Sequence, residues 1–264
     1  MRTVSAVSLL LLLACGCPHG AKARPYPEPT VEELLGRLTA TRDHVTSFSA
    51  ETLMDYWMNS ERVKGTVLVM GTTGSKVRIN ALSPTGNDTI ADLACDGRDY
   101  TFVDKNKNCQ LAGACSADTI ASLFGVALAP DDFVQLAVGA SPIILGAKGT
   151  VRWDGKAGRE VLELTGDGDR TQVIVLDAAG GRADVVSSEV KNADGVQEWR
   201  IDNTGFAKVD DANGVPFRVP TKSRLRSPGA KADLLVEWKE RALNLPLTDD
   251  KFVMDVDPAI PACP

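Results

Sequence analysis

The sequence predicts a mainly β (α+β) fold: a half-open antiparallel β-barrel or strongly curved sheet of about 10–11 strands, covered by an N-terminal helix and two central helices. Three observations carry this. From Ser47 onward apolar residues recur with a period near two, in short runs broken by Gly, Asn and Asp. Just before Ser47 one segment has a helical period, and between Ser116 and Gly139 that period returns twice. A sheet of that width has to curl or close, because flat sheets rarely exceed about ten strands.

The chain opens with Arg2, an apolar run from Val4 to Leu13, then Ala14 and Cys15. One positive charge, a short apolar core and a small residue outline a secretory signal peptide, too short to cross a hydrocarbon layer of about 30 Å. Leu12-Leu13-Ala14-Cys15 resembles the lipobox of bacterial lipoproteins, in which the cysteine takes a diacylglyceryl group and becomes the first residue of the mature chain. Cys17 is the rival acceptor, but three places upstream of it stands only Ala14. The expected division is therefore 1–14 as lipoprotein signal peptide, 15–29 as lipidated Cys15 plus a Pro-rich tether, and 30–264 as a single domain. Gly16 follows the cysteine where Asp is an inner-membrane retention signal in many Gram-negative lipoproteins. The expected address is the outer membrane, lipid-anchored and facing the periplasm, with the membrane as a partner through the lipid. After Leu13 no apolar stretch approaches the length of a membrane-spanning helix.

A formal net charge of −6 and a pI near 5.1 argue against nucleic acid as a partner, since phosphate neutralisation needs a basic surface.

Element by element, residues 16–29 are dense in Pro, Gly and small side chains and read as an extended linker. Thr30 and Glu33 have capping-box spacing, and Val31, Leu34, Leu35 and Leu38 share one helical face. Val63, Gly65, Val67 and Val69 alternate with Lys64, Thr66, Leu68 and Met70, and Val77, Ile79 and Ala81 with Arg78 and Asn80. Asp96-Gly97 falls between Ile90–Cys95 and Tyr100–Val103 as the turn of a hairpin. Helices are expected over Ser116–Phe124, with Ile120, Leu123 and Phe124 on one side, and over Pro130–Val138, which starts with Pro-Asp-Asp and stops at Gly139. Strands resume at Val161–Thr165, Thr171–Leu176, Asp184–Val190, Val196–Asp202, Phe206–Val209 and Ala232–Lys239. The stretch from Gly146 to Gly158 reads as a connection, and the apolar run Ser141–Gly146 as a buried strand edge or a loop touching acyl chains.

With Cys15 lipidated and Cys17 in the tether, four cysteines remain in an exported chain where disulfides persist: Cys95, Cys109, Cys115 and Cys263. They allow three pairings. Cys109 with Cys115 closes the shortest loop and is the candidate disulfide, although the spacing does not decide among the three. No metal site is expected, because zinc needs two close pairs or a Cys/His cluster and the only histidines are His19 and His44. Asp104-Lys105-Asn106-Lys107-Asn108 imitates the start of a calcium loop, but Cys109 stands where that loop needs Gly and Cys115 where it needs Glu.

The order of elements is similar to the lipoprotein-localisation (LolA/LolB-like) superfamily, among its anchored, uncharacterised outer-membrane members. The closing segment carries the resemblance best: the strand Leu234-Leu235-Val236-Glu237-Trp238, then Leu243-Asn244-Leu245-Pro246-Leu247 and Asp249-Asp250-Lys251-Phe252. Asp96-Gly97-Arg98-Asp99-Tyr100 resembles the family's hairpin of Asp-Gly followed by an aromatic. Phe252 would pin the last segment into the hydrophobic layer. The resemblance implies an apolar cavity for acyl chains, with Trp57, Leu68, Met70, Trp199 and Trp238 as candidate lining; each Trp serves as well in an ordinary core.

Chemistry for catalysis is sparse. There is no Gly-x-Ser-x-Gly, His-Glu-x-x-His or Walker loop, and a hydrolytic triad would have to use His44. Asp167, Asp169 and Asp177 sit beside glycine turns as turn residues do. The expectation is a non-enzyme without cofactor, binding lipids or other lipoproteins in its cavity and helping them reach the outer membrane. The alternative is a non-catalytic envelope interaction or sensor module with a filled core. An interior space of roughly 300 Å³ or more separates the two readings.

Overall fold

The structure, a computed structural model, describes residues 21–58, 61–84, 88–119 and 129–263. The signal peptide, Cys15, Cys17 and His19 lie outside the described residues, as does the Ile120–Phe124 part of the first expected central helix, of which 117–119 are helical.

α1 (Val31–Asp43) starts where the capping box places it, with Glu33 N–H donating to Thr30 Oγ1 at 3.1 Å and Thr30 N–H to the Glu33 carboxylate at 2.9 Å. Six strands follow as a meander: β1 (Ser47–Met58), β2 (Glu61–Thr72), β3 (Lys76–Leu82), β4 (Thr89–Asp96), β5 (Asp99–Asp104) and β6 (Cys109–Ala114). α2 (Pro130–Ala137) leads to a second meander of β7 (Lys148–Asp154), β8 (Arg159–Thr165), β9 (Thr171–Asp177), β10 (Asp184–Lys191) and β11 (Gln197–Thr204). A separate two-stranded hairpin, β12 (Ala207–Asp210) and β13 (Pro216–Val219), precedes β14 (Lys222–Ser227) and β15 (Ala232–Leu243).

Thirteen strands form one antiparallel sheet in the order β6-β5-β4-β3-β2-β1-β15-β14-β11-β10-β9-β8-β7. The two meanders are joined because β1 pairs with β15, from Phe48 opposite Leu243 to Met58 opposite Ala232. β6 and β7 are the two edges, so the sheet stays open. The count exceeds the expected 10–11 because β6, β7 and β14 carry weak apolar patterns, β6 burying only Cys109. β14 buries Ser223, Leu225 and Ser227, so only one inward position in three is apolar. β7 lies at an edge with no fully buried residue, and the stretch read as a connection is in fact this strand.

Alternation decides the faces. Val67 and Val69 are buried and point to the same side as Val77, Ile79 and Leu93, which leaves Leu68 and Met70 on the opposite side. α1 buries Leu34 and Leu38 against Leu162, Leu164, Ile174 and Leu176; α2 buries Val134 and Ala137 against the β1–β4 half. Each leucine, isoleucine or valine side chain among these contributes about 1.5–3 kcal/mol on full burial.

Three sequence expectations are corrected. The tether is not free from residue 22 on: Lys22 N–H donates to Gly155 O at 2.7 Å, Trp153 Nε1 to Lys22 O at 2.6 Å, and Tyr26 stands edge-on to Trp153. Arg24 is the cause, since its guanidinium pairs at 2.8 Å with Glu160, a fully buried carboxylate on β8 that composition alone does not reveal. Second, Cys109 does not pair with Cys115. The disulfides are Cys95–Cys115 and Cys109–Cys263, because β6 places Cys109 at its start beside the returning C-terminus and Cys115 just past its end beside the β4–β5 hairpin. Third, the apolar run at 141–146 splits, with Ile144 in the core and Leu145 77 % exposed.

Phe252 is buried, but outside both core clusters, within a turn (Asp249–Phe252) that packs on β3 and β4. Arg78 holds that turn by donating to Lys251 O at 3.1 Å while pairing with Asp92 at 2.7 Å. Arg78 belongs to the side of β3 away from Val77 and Ile79, so the C-terminal segment crosses the outer face on its way to β6.

Candidate functional site

The two core clusters meet beneath α2, and there the packing is incomplete. Phe48 and Met54 on β1, Ile201 on β11, Leu225 on β14, and Leu234, Val236 and Trp238 on β15 form the floor; Phe133 and Leu136 of α2 form the roof. The enclosed space is about 40 Å³. Its one polar lining residue among the described residues, Ser223, is already engaged, accepting from Trp238 Nε1 at 3.1 Å and donating to Asn203 Oδ1 at 2.8 Å. A β-bulge positions the tryptophan: the register shifts between Glu51 and Thr52, which face Glu240 and Trp238, leaving Lys239 as the extra residue.

α2 is fastened at both ends. At its start Asp131 accepts from Ser75 N–H at 2.6 Å, and Asp132 from Ala129 N–H at 2.8 Å. Burial pushes the Asp132 carboxyl up from its ordinary range, partly offset by that hydrogen bond. At its end Arg241 donates to Ala137 O, and to Pro220 O at 2.5 Å, with its guanidinium 4.5 Å from the centre of the Trp238 ring. Burial pulls the Arg241 pKa down to about 10. Gly139 closes the helix at φ +74°, where a Cβ would come within 2.4 Å of Pro220 Cδ.

Of the five candidate lining residues only Trp238 borders this space. Leu68 and Met70 lie on the opposite face, beside Leu245 in a separate open depression of about 370 Å³. The one-residue step that buries Val67 and Val69 turns them outward. Trp199 is core of the α1 half, 8 % exposed, and Trp57 is 45 % exposed with Arg62 stacked over it at 5.0 Å. Phe133 and Leu136 were missed as lining although their i, i+3 spacing puts them on one helical face.

An open groove of mixed polar and apolar lining lies beside His44. It is a groove of about 420 Å³ between the end of α1, the β9–β10 turn and the β12–β13 hairpin. His44 Nδ1 is tied to Ala40 O at 2.9 Å. The groove's one carboxylate among the described residues, Asp184, is held by Arg218 at 2.6 Å and Arg182 at 3.2 Å. Among the described residues no group of three or more His, Cys, Asp and Glu could hold a metal ion. No helix among them is long and apolar enough to cross a membrane.

This chain's open antiparallel sheet, with its first strand paired to its last, superposes on solved structures over 84–86 % of its length. The fold is similar to that of several solved structures, a LolA superfamily protein among them. A LolA superfamily protein from Nitrosomonas europaea superposes with a TM-score of 0.54 at 12 % identity, over 86 % of this chain and 99 % of its own. A domain from Vibrio parahaemolyticus named for outer-membrane lipoprotein sorting gives 0.55 at 14 % identity, over 84 % and 95 %. A DUF1329 family protein from Desulfovibrio piger gives 0.53 at 13 %, over 84 % and 95 %. No protein-family model and no curated protein matches the sequence.

Proposed function

We propose that the protein is a lipid-anchored, non-catalytic binding protein of the cell envelope, fixed to the outer membrane through Cys15, that takes the acyl chain of a lipid or lipoprotein between its sheet and α2. The observation that carries this is the apolar space beneath α2, walled by aliphatic and aromatic side chains and roofed by a helix of eight residues. At about 40 Å³ it is a seam, far below the roughly 300 Å³ of a typical ligand site. Uptake therefore requires α2 to lift, taking Phe133 and Leu136 with it. Each methylene entering the space would be worth about 0.8 kcal/mol, set against the cost of undocking the helix. Release to a partner would be competitive, without a covalent step.

The test is native mass spectrometry of the delipidated protein incubated with a palmitoylated peptide. A one-to-one complex, more abundant in Phe133→Ala, is the expected result; no complex and no protection of the peptide from water would sink the proposal. That second outcome would favour the filled-core interaction module, the reading for which the small interior volume speaks. The anchor is tested separately, by the mass of the N-terminal peptide and its loss of lipid in Cys15→Ala.

A further inference from the structure

The groove beside His44 has a charge opposite to that of the chain as a whole. Arg37, Arg182 and Arg218 line it against the single carboxylate Asp184, in a protein whose net charge is −6. Arg182 and Arg218 share Asp184, and Arg182 also reaches Asp177 at 3.2 Å. Arg37 has no carboxylate partner among the described residues. One wall is apolar, formed by Val215 and Phe217, and Val215 is 45 % exposed at the hairpin tip. A forked cation beside an apolar wall matches a phosphate group joined to a greasy body.

The groove also lies at the end of the sheet from which the N-terminal segment leaves. Lys22 N–H is bonded to Gly155 O in the β7–β8 turn, and the alternation of antiparallel strands puts the β9–β10 turn, which borders the groove, at that same end. Cys15 is seven residues before Lys22 in sequence, a reach of at most about 25 Å.

We infer that this groove binds the phosphate of an anionic phospholipid headgroup in the bilayer that carries the anchor. The hairpin tip at Val215 enters the interface, and Arg37 supplies the free guanidinium. The orientation rests on the proposed lipid at Cys15; the chemistry of the groove does not.

Residues 16–264, produced without the leader so that no lipid is attached, keep every described residue and can be sedimented with vesicles. Binding is expected to phosphatidylcholine vesicles doped with phosphatidylglycerol, to be absent with phosphatidylcholine alone, and to fade as salt rises. Arg37→Gln should weaken it at least about fivefold, as loss of one charge-assisted contact does. Arg152→Gln on edge strand β7 should leave it unchanged, and circular dichroism and thermal melts report whether each variant is folded. Equal binding by Arg37→Gln and the parent, an equal loss in Arg152→Gln, or saturable binding of inorganic phosphate with none to vesicles would overturn the assignment. Because the assay uses unlipidated protein and reads no acyl uptake, failure of the anchor or of the space beneath α2 would show in its own experiment and leave this one standing.

Discussion

Cys263 is bonded to Cys109 across 154 residues of chain, with their Cα atoms 4.8 Å apart. The backbone beside the bridge is paired too: Gln110 N–H donates to Pro261 O and Cys263 N–H to Gln110 O, each at 2.9 Å. The C-terminus thus acts as a short parallel partner for edge strand β6 and covers groups that would otherwise template pairing with another chain. Replacing both cysteines by Ser is expected to lower stability by about 2–5 kcal/mol. Urea unfolding measures the loss, and hydrogen exchange should quicken in β6 well before β8–β10.

Arg24 and Glu160 form a forked pair, with Nε 2.8 Å and Nη2 3.1 Å from the two carboxylate oxygens, and the Glu160 side chain is fully buried. Arg24→Met strands that carboxylate, which costs about 3–5 kcal/mol. The double variant Arg24→Met with Glu160→Leu should regain most of it. If the single variant unfolds at the parent's urea midpoint, the docked N-terminal segment contributes nothing to the fold.

Tyr56 packs against the α1 half of the core, and burial pushes its phenol from about 10 up to about 12. The unfolded chain therefore releases this proton first. Its contribution to stability is complete below about pH 10 and is lost as pH rises towards about 12. Stability against pH, compared between the parent and Tyr56→Phe, should show the alkaline decline made shallower in the variant.

Phe133→Ala and Leu136→Ala open the space beneath α2 from above. Each should cost about 2–4 kcal/mol and increase uptake of the palmitoylated peptide. Met70→Ala, on the other face, should leave uptake as it is. Uptake that follows Met70 instead would place the seat in the outer depression.

Arg241→Met removes the donors to Ala137 O and Pro220 O. Amide exchange in α2 should rise about tenfold or more, reflecting one or two lost charge-assisted hydrogen bonds. An unchanged α2 would show that its apolar face alone holds it down.

Local signals were legible wherever one residue and its near neighbours settle the matter. Thr30 and Glu33 announce α1, Asp96-Gly97 announces a hairpin, and Pro130 and Gly139 bracket α2. β14 is hidden because Ser223 and Ser227 occupy two of its three inward positions, and β6 and β7 because an edge needs no apolar side. The site was harder still. Trp238 borders it only because a bulge sets its aim, and Trp199 and Trp57 sit on comparable strands but end in core and solvent.

Residue order alone fixes the class of the fold, the start of α1, both ends of α2 and most of the strands, because period and capping are properties of neighbouring residues. The tertiary structure alone decided which cysteines meet, that Arg24 finds Glu160, that the C-terminus closes the β6 edge, and that three arginines converge beside α1. Each of these joins residues far apart in the chain, and the geometry that unites them exists only once thirteen strands have taken their register.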